Sequence, residues 1–175
     1  MPRGRATDVS KTGQYGKFRE SRLGDPYISK KGWPEPTICP ICNTVYYKKH
    51  WLMSEALLFE IKKMKDVKYH KCPACRKIED HYAMGILNLT GDFVKEHRDE
   101  IINLLRSEER HAMEKNPLER IITISKKNGG LYVETTTDSL ALRIGRVLTR
   151  AYKGTEEFKW KYGDKSVIIE WGREK

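Results

Sequence analysis

The sequence predicts an α+β protein: a small module clamped by four cysteines, zinc-ribbon or treble-clef-like, followed by a two-layer α/β sandwich of order β-α-ββ-α-ββ. Three observations predict it. All four cysteines fall in two Cys-Pro-x-Cys knuckles; helical and alternating apolar periods take turns after residue 81; and an Asn-Gly pair separates two strand-like runs.

The knuckles are Cys39-Pro40-Ile41-Cys42 and Cys72-Pro73-Ala74-Cys75. Two residues between cysteines let both thiolates reach one ion, and two such pairs complete a tetrahedral shell. The expected cofactor is Zn2+, with rubredoxin-type iron as the alternative, because iron uses the same spacing. A closed shell makes the metal structural, since catalytic zinc keeps one position for water or substrate. Disulfides are the competing reading. The chain opens Met1-Pro2-Arg3-Gly4-Arg5 without an apolar signal segment, so a reducing cytoplasm is expected and metal is preferred. His50, His70 and His81 lie near the knuckles, but four thiolates already fill the shell.

At 175 residues the chain can hold one ordinary domain and a small accessory module. It divides into a basic arm over 1–36, the metal module over 37–80 and an α+β domain over 81–175. Thirty-four Lys and Arg against 24 Asp and Glu leave a formal charge of +10, which points to a polyanionic partner. The arm and the module each carry a net +4, residues 81–119 a net −3, and residues 120–175 a net +5. No run of 18 apolar residues exists, so no spanning helix and no membrane partner are expected. Phosphate-cradling glycine loops are lacking, and the acid and histidine of Glu108 to His111 belong to a charged helix face. No enzyme activity and no small-molecule substrate are expected.

Each element has its own warrant. Residues 54–61 form a short apolar run, helical or extended, inside the module. Met84 to Leu89 reads as a strand ending at Thr90-Gly91. Asp92 to Lys115 reads as one helix, because Phe93, His97, Ile101, Leu104, Leu105 and Ala112 recur at helical spacing and Asn116-Pro117 stops it. Ile121 to Ser125 and Leu131 to Thr135 flank Lys127-Asn128-Gly129-Gly130 and form a hairpin. Asp138 can cap a second helix running to about Tyr152 and ended by Gly154, with Leu140, Ile144, Val147, Leu148 and Ala151 as its apolar stripe. Glu157 to Tyr162 and Ser166 to Trp171 make a last hairpin turning at Gly163-Asp164, with Phe158, Trp160 and Tyr162 facing the core and Lys159 and Lys161 facing out.

Three cationic surfaces are candidates for RNA contact. The arm supplies Arg3, Arg5, Lys11, Lys17 and Arg19. The segment Tyr46-Tyr47-Lys48-Lys49-His50-Trp51 interleaves aromatics with cations, from which Tyr47, Lys48, Lys49, His50 and Trp51 are the candidate contacts; the competing role for its aromatics is to cover the small module. Arg143, Arg146, Arg150 and Lys153 form one basic ridge over roughly 15 Å of helix. None of these arginines has an acid four residues on, so the ridge reads as unneutralised.

The text running from Glu35-Pro-Thr-Ile-Cys-Pro-Ile-Cys through Lys71-Cys-Pro-Ala-Cys-Arg, Leu89-Thr-Gly-Asp-Phe, Asn116-Pro-Leu-Glu-Arg-Ile and Thr135-Thr-Thr-Asp-Ser-Leu-Ala to Ile144-Gly-Arg-Val-Leu resembles the Nmd-three-like proteins. These include a bacterial and archaeal branch related to the eukaryotic adaptor that exports large ribosomal subunits. The resemblance spans about residues 25–173. It implies zinc at Cys39, Cys42, Cys72 and Cys75, contact with ribosomal RNA and no activity. Two knuckles, and no long C-terminal extension with transport signals, mean that nuclear export does not carry over. The expected function is therefore that of a zinc-containing, ribosome-associated factor, in ribosome hibernation or subunit maturation. The alternatives are a DNA-binding zinc regulator, for which no helix-turn-helix or dimerising heptad is visible, and a rubredoxin-like electron carrier.

Overall fold

The structure is a computed structural model, and it describes residues 24–161 and 165–175. Within the module, β1 (Thr37–Ile38), β2 (Val45–Tyr47), β3 (His50–Leu52) and β4 (Lys68–Tyr69) form a sheet of order β3-β2-β1-β4. Only β4 runs parallel to its neighbour β1. Helix α1 (Glu55–Lys62) starts at Ser54, whose hydroxyl accepts from Leu57 N at 3.2 Å. It buries Ile61 against Ile38 and Val45, with Tyr47, Leu57, Leu58 and Val67 half-buried around them. The ambiguous run at 54–61 is thus a helix, because its cap is local and its apolar side has a small sheet to cover. Helix α2 (Pro73–Asp80) starts at Cys72, with Pro73 in the first turn where a missing N–H costs nothing.

The second unit has a five-stranded sheet of order β6-β7-β5-β9-β8, built from β5 (Gly85–Thr90), β6 (Ile121–Lys127), β7 (Gly130–Thr135), β8 (Thr155–Trp160) and β9 (Val167–Gly172). The central strand β5 pairs antiparallel with β7 and parallel with β9, so the second hairpin crosses back beside the first strand. Helices α3 (Asp92–Glu96), α4 (Arg98–Lys115) and α5 (Asp138–Tyr152) pack on this sheet. Leu87, Leu89, Leu131, Val133, Val167, Ile169 and Trp171 are buried in one cluster with Ile101, Leu105, Leu140, Ile144 and Leu148. Their cross-strand partners show that these sheet residues share one face. Each such side chain contributes about 1.5–3 kcal/mol by leaving water. The opposite face carries Ile86, Asn88, Tyr132, Glu134, Ile168 and Glu170, all half-buried. The order strand, helix, hairpin, helix, hairpin is that expected, as a two-layer sandwich.

Several details differ from the sequence reading. The helix expected over 92–115 breaks at His97 (φ −107, ψ 27), where the imidazole stacks on Phe93 at 4.2 Å. The last helix ends with Lys153 in the left-handed region (φ 53) and not with glycine. Gly154 serves packing instead: a Cβ there would lie 2.4 Å from Trp171. Ala151, expected in the apolar stripe, is exposed. Strand β8 begins two residues earlier than expected, and the turn at Gly163-Asp164 lies outside the described residues. The same holds for the first 23 residues of the expected arm. Residues 24–36 pack on the rest of the chain: Tyr27 lies 5.0 Å from Tyr82 and donates to Asp80, and Trp33 packs on Tyr46 and Trp51.

Candidate metal centre

Two local structures bring the cysteines together. The first knuckle is the turn between β1 and β2, closed by Cys39 N donating to Thr44 O at 2.8 Å and Asn43 N donating to Cys39 O at 2.9 Å, with Asn43 in the left-handed region at φ 61. The second is the first turn of α2, where Cys72 Sγ accepts from Cys75 N at 3.4 Å. Placing one pair on a hairpin and the other at a helix start is the treble-clef side of the expected pair of folds.

The four Sγ atoms lie within 4.8 Å of one another, and Cys42 and Cys72 are 3.7 Å apart. A tetrahedral ion with metal–sulfur bonds near 2.3 Å needs edges of about 3.8 Å. The donor set therefore fits one tetrahedral ion held by Cys39, Cys42, Cys72 and Cys75. Its electrostatics ask for a cation too. Hydrogen bonds from Cys39 and Cys72, together with Thr44 and Arg120, hold Cys42 far below the usual thiol range. Hydrogen bonding to Cys39 and Cys42, then burial, pushes Cys72 up, while burial and the charges on Cys42 and Cys39 push Cys75 up to about 12. Four sulfurs this close can all be thiolates only around a positive ion.

Arg120 supplies a second positive charge from the other unit. It lies between Pro117 and strand β6, is 9% exposed, and donates from Nη2 to Cys42 Sγ at 3.2 Å and from Nη1 to Cys75 Sγ at 3.6 Å. Thr44 Oγ1 at 3.3 Å and Pro117 O at 2.9 Å accept its other N–H groups. Burial opposes its charge, but Cys42 and then Cys72 and Cys75 outweigh this and hold the guanidinium above its usual range. Lys77, 2% exposed, stitches the same junction: Nζ donates to Asp25 Oδ2, to Thr136 O at 2.8 Å and to Met84 Sδ at 3.1 Å. Burial lowers its pKa and Asp25 works against that. Sequence reasoning assigned neither residue a role.

No protein-family model matches this chain, and no curated protein matches it.

Of the expected RNA contacts, Lys48 and Lys49 stand exposed on the β2–β3 turn and His50 stands exposed at the start of β3. Both lysines take left-handed backbone (φ 50 and 63), and their N–H groups donate to the Glu35 carboxylate at 2.8 and 3.0 Å, which fixes this two-residue turn. Tyr47 is half-buried against the α1 cluster. Trp51 is corrected: at 7% exposure it packs with Tyr46 on Cys39, Cys72 and Cys75, covering the metal site, and offers no free ring face. The expectation that the ridge is unneutralised is corrected at Arg143, whose Nε donates to Glu108 Oε2 at 2.7 Å on the neighbouring helix. Arg146, Arg150 and Lys153 are exposed. Arg3, Arg5, Lys11, Lys17 and Arg19 lie outside the described residues. Among the described residues, no helix is long and apolar enough to cross a membrane.

Proposed function

We propose that this chain is a non-catalytic, zinc-stabilised cytoplasmic protein that docks on ribosomal RNA, serving ribosome hibernation or subunit maturation. The observation that carries the reading is the exposed Lys48-Lys49 turn, fixed by Glu35, beside a metal centre whose shell four thiolates can fill. A closed shell leaves no position for a reacting ligand, so the metal shapes a surface. On that surface the cations are held out by backbone geometry, which lowers the entropy lost on meeting phosphates. The overall charge of +10 and the resemblance to the Nmd-three-like proteins point the same way. Zinc is taken over iron because the reading gives the centre a structural role, which a redox-inert ion in a closed tetrahedral thiolate shell fills. A colourless protein with one zinc by elemental analysis agrees with this; a red iron-containing one contradicts it.

The test is co-sedimentation with ribosomes. Lys48→Glu with Lys49→Glu should abolish it while metal content stays unchanged. Undiminished co-sedimentation of that variant sinks the assignment of this surface.

A further inference from the structure

Beside the turn lies a cleft of about 490 Å³, between the metal module and the loop that follows α4. Its wall is aromatic: Trp33, half-buried, meets Tyr46 and Trp51 edge-on at 5.1 and 5.3 Å. Its rim is cationic, with Lys49 from the turn and Lys115 from the end of α4, His50 lies beside them at the start of β3, and none of the described residues lining it is acidic. Two elements far apart in sequence thus bring positive charge to one aromatic recess.

A ligand that suits the recess is flat and is joined to negative charge.

We propose that this cleft takes one unstacked base of single-stranded or looped RNA, with Trp33 as its stacking platform and Lys49 and Lys115 on the flanking phosphates. The proposal rests on the RNA-docking reading above and names what that surface recognises. Base stacking on an aromatic ring is tolerant of sequence, so the cleft selects strand state over sequence. A duplex keeps its bases stacked and cannot fill it. Trp51 stays in place under Trp33 and braces the platform edge-on.

The test uses the full-length, metal-loaded protein and fluorescence anisotropy, with a labelled single-stranded RNA and a duplex of equal length at one salt concentration. Wild type should prefer the single strand. Trp33→Ala should lose about ten-fold or more in single-strand affinity, the range expected for one stacked base, and Trp33→Phe should recover most of it. Because Trp33→Ala can disturb the cluster, the exposed pair Lys49→Ala and Lys115→Ala provides an independent arm, expected to weaken single-strand binding with the fold intact. Equal binding of strand and duplex by wild type, or full affinity in Trp33→Ala and in the lysine pair, overturns the proposal. If ribosome co-sedimentation persists in that case, only the base cleft falls; if wild type binds neither ribosomes nor RNA, the docking reading falls with it.

Discussion

Replacing Arg120 by alanine should cost this protein most of its hold on the metal. The guanidinium is nearly fully buried and gives hydrogen bonds to two of the four sulfurs and to Thr44. Four thiolates around a divalent ion carry two net negative charges, and Arg120 offsets one of them at 3.2 Å. Removing one partner of a buried charge pair costs about 3–5 kcal/mol, because the other charge stays behind unpaired. At about 1.4 kcal/mol per ten-fold, the upper bound is a loss of over a thousand-fold in metal affinity. Loss of an outer hydrogen bond to a metal ligand typically costs 10–100-fold, which sets the lower bound. We expect about 100-fold, measured by competition with a chromophoric chelator. Arg120→Lys should fall between, since one ammonium cannot fork to two sulfurs. An Arg120→Ala protein whose metal affinity stays within about two-fold of wild type refutes the claim that this residue helps hold the shell.

Other outcomes follow from the same geometry. Metal binding must expel protons from Cys72 and Cys75, both raised, Cys75 to about 12, so the apparent affinity should fall by about 100-fold per pH unit of acidification below neutrality; a flat profile between pH 6 and 8 contradicts this. The sign is fixed because only thiolates bind, and lower pH favours the thiols. Gly154→Ala should destabilise by about 1–3 kcal/mol in a denaturant titration, as its Cβ would press on Trp171 at 2.4 Å; an unchanged midpoint would show that the indole yields freely. Single-strand RNA affinity should fall with salt at a log-log slope of about −0.7 per neutralised phosphate, and the Lys48→Glu, Lys49→Glu variant should show a shallower slope; equal slopes remove the turn from the interface.

What the sequence revealed was what neighbours in the chain decide. Cysteine spacing made the metal pairs legible, and Asn128-Gly129, at φ 49 and 78, announced the β6–β7 hairpin because its turn chemistry is local. Apolar period located both long helices. The break at His97 escaped because Ile101 N still donates to His97 O at 3.0 Å, so the helical spacing runs through the kink. Arg120 escaped for a different reason: its sulfur partners lie 45 and 78 residues away, and nothing beside it in sequence marks a buried cation. The same blindness misread the arginine ridge, where a search four residues along one helix could not see Glu108, 35 residues off on another. Tertiary pairs of this kind decide which surface cations are neutralised.

One measurement bears most directly on the idea that a metal-shaped surface does the docking. Ribosome co-sedimentation should be compared for the metal-loaded protein, the same protein after full chelation, and the chelated protein reloaded with zinc. The proposed function predicts binding, loss and recovery in that order, with far-UV circular dichroism changing in step. Undiminished co-sedimentation after chelation would contradict it.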